Sequence, residues 1–410
     1  MFRLIRVPRS LDKFFRPLHH YFHWDHCEYF RLLVLVMAFT WGRHHVANLY
    51  RYLEAQHHRT RFNNFFLVQR WDPKAALQEK AQALLRALAP QPGDTVYLIL
   101  DDSKQAKRGK HMDAVAKMKD PTTDASIRGH QYVCGLLFFR QHVIPWGIRL
   151  YVKKEACADV GVPFQKTTEL AAQLIREFQA PAGVKVMVLF DAYYLCPTVV
   201  KACREQHCHF ASTLKSHRSR FKPGWKLQAG RYGRNQFRRH RTEPLVIAKP
   251  HGSTLYRYLD AGWLQVSTLG GLHVVFSRTG AARKILGLVT DAPDLSAADV
   301  IRTYDKRWTI EPWLKDVKPW LGLGQYQNRS DWAAVTHRQL VCVTSALLTP
   351  RRIERTGAQG QRTRDQAAGI STAAAQDQLR RLLWEDLITY LKEECPSQPV
   401  LQELERLRVA

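Results

Sequence analysis

Hydrophobic and polar positions change their period along the chain, and the changes divide it. Between Phe30 and Leu53 the segment FRLLVLVMAFTWGRHHVANLYRYL spaces its apolar residues as a helix does, and Lys74 to Leu88 (KAALQEKAQALLRAL) is built from strong helix formers. Ala89, Pro90, Gln91, Pro92 and Gly93 then stop the helix, so residues 1–92 predict a helical module. Beyond it, Val96 to Leu100 (VYLIL) predicts a buried strand ending directly in Asp101 and Asp102. Residues 132–140 and 142–152 predict two antiparallel neighbours. A helix over 164–178 leads into a strand over 184–190 that ends in Asp191, and a helix over 197–206 and a strand over 209–214 follow. This alternation predicts an α/β domain over 93–214, a mixed sheet with helices on its faces.

The pattern changes again at Lys215. Residues 215–249 hold 11 Lys and Arg against one acid, Glu243, the densest charge run in the chain. Short strand-like pieces (LVIAKP, WLQVST, LHVVFSR, ILGLVT) continue to about residue 290, which predicts an inserted basic, β-rich subdomain over 215–290. Ser296 opens a helix, since Ser-Ala-Ala-Asp has the form of a capping box, and that helix carries Val300 to Lys318 in a second part of the α/β domain over 291–350. A basic stretch over 351–364 and a final helix over 371–394 belong to a basic helical tail, residues 351–410.

Composition narrows the class. With 410 residues, 45% hydrophobic, the chain has room for two to four domains with real cores. Its formal charge of +26 calls for a polyanionic partner, and 11 Trp, 15 Tyr and 18 Phe interleaved with Arg favour nucleic acid, where guanidinium groups meet phosphate and rings stack on bases. The longest apolar run, Leu32 to Gly42, is about half of the ~20 residues a bilayer span needs. The first residues mix charges with hydrophobics and lack a signal peptide's form, so a cytoplasmic protein is expected. Eight cysteines occur without a Cys-x-x-Cys pair. Neither they nor the groups His19, His20, His23, His26, Cys27 and Cys203, His207, Cys208, His209 have paired-finger spacing.

In so basic a chain the acids after apolar runs are the informative residues. Asp101, Asp102 and Asp191 stand at predicted strand ends, where carboxylates of adjacent strands converge on one side of a sheet, and a third acid would complete an all-oxygen site for Mg²⁺ or Mn²⁺. The segment YDKRWTIEPWLKDVK supplies one. At about 100° per residue, Tyr304, Arg307, Glu311 and Lys318 fall on one helical stripe roughly 60° wide. Pro312 lacks an N–H and opposes a continuous helix through Trp308, so Lys318 keeps its place only across a gentle kink.

The pattern Tyr-x2-Arg-x3-Glu-x6-Lys resembles the signature of the DDE transposases of bacterial insertion sequences, whose RNase H-like catalytic domain is interrupted by a β-strand insertion. LILDDSKQAKRGK is similar to that family's first-aspartate strand and VLFDAYY to its second-aspartate segment, and the likeness in motif order covers residues 95–345. The resemblance implies that Asp101, Asp191 and Glu311 are the catalytic, metal-binding triad for two Mg²⁺ or Mn²⁺ ions, and that Tyr304, Arg307 and Lys318 hold DNA near the cleavage site. Asp101 is favoured over Asp102 because the family commonly shows Asp, a variable residue, then Thr or Ser, matched here by Asp101, Asp102 and Ser103. It further implies a cut-and-paste transposase in the bacterial nucleoid. Its partners would be double-stranded DNA, both the terminal inverted repeats met by the N-terminal helices and the target, and it would be a homodimer on two DNA ends. A hairpin on the element's end would have Trp225 or Trp263 stacking on a displaced base. Two alternatives stand beside it: a nuclease on the same fold without strand transfer, and a DNA-binding derivative without chemistry.

Overall fold

The computed structural model describes residues 3–54, 58–68, 71–109, 111–119, 124–217, 228–249, 252–280, 284–357, 371–394 and 404. Its centre is one ten-stranded mixed sheet: β1 (Thr95–Ala106), β2 (Ala116–Lys119), β3 (Ser126–Phe139), β4 (His142–Tyr151), β5 (Lys185–Phe190), β6 (His209–Leu214), β7 (Glu243–Lys249), β8 (Gly252–Val266), β9 (Gly270–Thr279) and β10 (Leu286–Thr290). The order is β2-β3-β1-β5-β6-β10-β9-β8-β7, with β4 also on β3. β5 and β6 run parallel to β1, β3 runs antiparallel to β1, and β4 runs antiparallel to β3. An antiparallel three-strand unit continued by two parallel strands, with helices on both faces, is an α/β, RNase H-like fold.

The pleat of β1 sorts its side chains between two cores. Val96, Leu98 and Leu100 face a core with Val133, Leu137, Leu170, Leu174 and Val199, covered by helices Thr167–Glu177 and Pro197–Glu205. Ile99 faces the other, with Cys134, Leu136, Leu189, Ile310, Trp313 and Val317. That second core also takes Leu33 and Val36 of helix Trp24–Phe39 and Leu340, Val341 and Leu347 of helix Asp331–Gly357. The boundary read at residue 92 therefore separates chain segments that share a core.

Several elements differ from the expectation. β1 does not stop at Leu100: β3 keeps pairing with it from Asp101↔Cys134 to Ala106↔Gly129, because the ladder uses backbone groups and tolerates a carboxylate. The N-terminal helix breaks after Phe39, where Gly42 takes φ +84°, and resumes at Val46–Tyr50. Within 215–290, helix Ala229–Arg239 stands among the strands, packed so closely on β9 that a Cβ on Gly233 would lie 2.6 Å from the Phe276 ring. Its outward side presents Arg231, Arg234 and Arg238, all exposed. Since β10 pairs with β6, this segment extends the same sheet. No helix among the described residues is long and apolar enough to cross a membrane.

Candidate active site

The site begins with the register of two parallel strands. The last paired positions of β1 and β5 are Ile99 and Leu189, and two residues further along each strand stand Asp101 and Asp191. With a period of two, Asp101 takes the face of Ile99, toward helix Ile310–Trp320, whereas Asp102 takes the opposite face. Hydrogen bonds agree with this division. Asp101 Oδ2 accepts from Arg307 Nη1 at 3.0 Å, while Asp102 Oδ2 accepts from Gln131 Nε2 at 2.9 Å.

Asp191 begins a turn. Its Oδ1 accepts from the N–H groups of Tyr193 (2.9 Å) and Tyr194 (3.4 Å), and its carbonyl accepts from Ser212 Oγ at 3.1 Å. These bonds fix the carboxylate, and its Oδ2 carries no hydrogen bond among the described residues.

The third acid arrives on a helical path in three pieces. Ser296 caps helix Ala297–Asp305, its Oγ accepting from Asp299 N at 3.2 Å as the sequence suggests. A 3₁₀ turn, Lys306–Thr309, follows and leads into helix Ile310–Trp320, with right-handed helical backbone at both junctions. The uniform α-helix read across Val300 to Lys318 is thus corrected to one interrupted by a 3₁₀ turn, and Pro312 falls in the first turn of the α-helix after it, where a missing N–H is tolerated. Glu311 lies in that same turn, about half exposed, with its Oε1 3.7 Å from Arg307 Nη2. Tyr304 is buried beneath, engaged with Thr213 and in the field of Asp191, and burial raises its phenol. Lys318 sits two turns beyond Glu311, half-buried, and its charge bears on Cys134, the register partner of Asp101. Of the sequence-derived residues, Asp101, Arg307 and Glu311 are in direct contact, and Asp191 and Tyr304 adjoin them.

Electrostatics mark the place as one that lacks positive charge. Burial pushes the Asp101 carboxyl up to about 6, against the pull of Arg307 and the Asp102 N–H, and the charges of Asp102 and Asp191 raise it further. Burial likewise raises Asp102, opposed by Lys104 and Gln131. Burial opposes the charge of Arg307, but Tyr304, Asp101, Glu311 and Asp191 together outweigh it and raise its pKa. Two rings cover the guanidinium, Trp308 at 4.4 Å and Tyr304 at 5.7 Å. Trp308 is exposed, as is Tyr193 beside Asp191; the aromatic after Asp191 belongs to the VLFDAYY segment, whereas Trp308 was not singled out although it follows Arg307 directly. Trp263 on β8 is exposed and parallel to His273 at 5.9 Å, while Trp225 lies outside the described residues.

Three carboxylates are hard oxygen donors suited to a divalent ion. Yet among the described residues no three acid, His or Cys side chains are spaced to hold one, and the guanidinium of Arg307 is in reach of both Asp101 and Glu311. The three carboxylates fit such an ion in chemistry, and the Arg307 guanidinium holds the positive charge that now faces Asp101 and Glu311.

A profile of the family described as DDE superfamily endonuclease matches residues 18–267, which include Asp101 and Asp191. No curated protein matches the chain.

Proposed function

This chain belongs to the DDE superfamily endonucleases, and on that premise we propose that it is a transposase that cuts DNA at the ends of an insertion sequence and joins them to a target. The observation that carries the reading is the β1–β5 register, which sets Asp101 beside Asp191 on the sheet face where Arg307 and Glu311 arrive.

Asp101, Asp191 and Glu311 would hold two Mg²⁺ or Mn²⁺ ions, which supply an activated attacking oxygen and neutralise the leaving one in an in-line displacement. The protein's own residues position the phosphate. The turn at Asp191 fixes one carboxylate in advance, and the ladder of β1 on β3 and β5 fixes another, so little reorganisation is left for the chemistry. Arg307 would offer a planar fork for a non-bridging phosphate pair, with the Tyr304 ring against its guanidinium, and Lys318 would add a further contact to the DNA. The exposed arginines of helix Ala229–Arg239 and the N-terminal helices would follow the backbone of the terminal repeats, supplying the salt-dependent part of the affinity. Two copies would meet when two ends are brought together.

The test uses a duplex carrying a terminal repeat. Asp191→Ala and Glu311→Ala should each abolish Mg²⁺-dependent cleavage while leaving duplex binding within a few-fold of wild type; undiminished cleavage by either would refute the reading. Supplying a pre-cleaved 3′-hydroxyl end and a plasmid target then separates the chemistries. Joined products support a transposase, and hydrolysis without joining identifies a nuclease.

A further inference from the structure

Arg307 is where the site departs from a ready cation pocket. Its guanidinium is buried and reaches two acids far apart in the chain: Nη1 is 3.0 Å from Asp101 Oδ2 and Nη2 is 3.7 Å from Glu311 Oε1. Its Nε is buried and has no hydrogen-bond partner among the described residues. Oxygens sharing one Mg²⁺ at ~2.1 Å can be no more than about 4.2 Å apart. The guanidinium, within reach of both carboxylates, occupies the space where an ion at that distance would sit, and among the described residues no three acid, His or Cys side chains are grouped to hold a metal ion.

We infer that Arg307 is a latch on the acid site. In the free protein it neutralises Asp101 and Glu311 and holds them apart, so that a divalent ion binds weakly. When a DNA phosphate arrives it competes for the same fork, the two carboxylates are released, and the ion is admitted. This rests on the proposed triad and adds an order of events, in which metal affinity is switched on by DNA. Linkage makes the effect reciprocal, since whatever factor DNA adds to metal affinity, metal adds to DNA affinity.

The experiment measures Mn²⁺ binding to the metal-free protein by the electron paramagnetic resonance of the unbound ion, for wild type, Arg307→Lys, Arg307→Gln and Asp191→Asn. R307Q should bind Mn²⁺ about tenfold more tightly than wild type and R307K several-fold more tightly. Lysine keeps the charge but lacks the fork, so tightening in R307K separates bridging from simple repulsion. A short DNA duplex should tighten Mn²⁺ binding to the wild type and change R307Q much less. If R307K and wild type bind equally, or either variant binds more weakly, the latch is refuted. If D191N keeps wild-type Mn²⁺ binding, the triad itself is wrong, whatever the arginine variants do. Should R307Q fail to fold, R307K carries the comparison.

Discussion

Replacing Asp101 by Asn should make the metal-free protein more stable while removing its activity. The carboxyl is four-fifths buried, and that burial lifts it from an ordinary 3.8 to about 6, even with Arg307 beside it. A folded value above the unfolded one means that the protonated form favours the fold. That contribution is fully present below about pH 4 and is lost as pH rises through about 6. The distance from 3.8 to about 6 corresponds to roughly 3 kcal/mol by pH 7.5. Asparagine has no charge to desolvate and escapes this loss. With unfolding entropy of about 2.1 cal/mol/K per residue, a 410-residue chain melting as one unit would gain about 3 to 4 °C. Thermal melts of both proteins in chelator at pH 4.5, 6 and 7.5 provide the check. The gap should open with pH, and cleavage by the variant should be absent at every pH. A variant less stable than wild type at pH 7.5, or a gap of equal size at pH 4.5 and 7.5, would refute the reasoning.

Two further outcomes follow from other parts of the molecule. Replacing Arg231, Arg234 and Arg238 with Gln should lower the slope of log K for duplex binding against log salt by about 2.7, if each neutralises one phosphate; an unchanged slope would remove helix Ala229–Arg239 from the DNA surface. Tyr326→Phe should cost about 1–3 kcal/mol in urea unfolding, because the hydroxyl accepts from Arg338 Nη2 at 2.7 Å and is shared with His130, and both are buried. Unchanged stability would show that the rings of Tyr132 and Tyr326, at 5.0 and 5.2 Å from the guanidinium, hold Arg338 without that bond.

Buried strands were the most legible part of the fold. β4, β5 and β6 lie within a residue or two of their expected bounds, because continuous apolar runs between turns leave few other choices. Helix Ala229–Arg239 was hidden because Gly230 and Gly233 lower its helix propensity, and packing against Phe276 is what pays for them. Helix Asp331–Gly357 escaped because its middle, LVCVTSALLT, is apolar and β-branched on every side, which suits its burial between other helices and the sheet. In the site, acids following apolar runs were visible, but that Asp101 and Asp102 face opposite sides of the sheet follows from the pleat of β1. The bridging of Arg307 joins residues 206 positions apart and has no local signal.

The pairing of β10 with β6 bears on how such a chain can be rearranged. From Gly287↔Leu214 to Thr290↔Ala211 the two strands share a ladder, and Phe210 N–H is held by Asp291, just past β10. Residues 215–290 are therefore not a cassette that could be excised and its ends spliced. Deletion would strip one side of β6 and leave a bare row of backbone donors and acceptors next to the strand that carries Asp191, an edge open to pairing with another chain. A shortened or chimaeric version of this protein has to bring its own strand to that edge, and any swap of the basic segment between relatives should be cut outside the paired residues 211–214 and 287–290 rather than within the ladder itself.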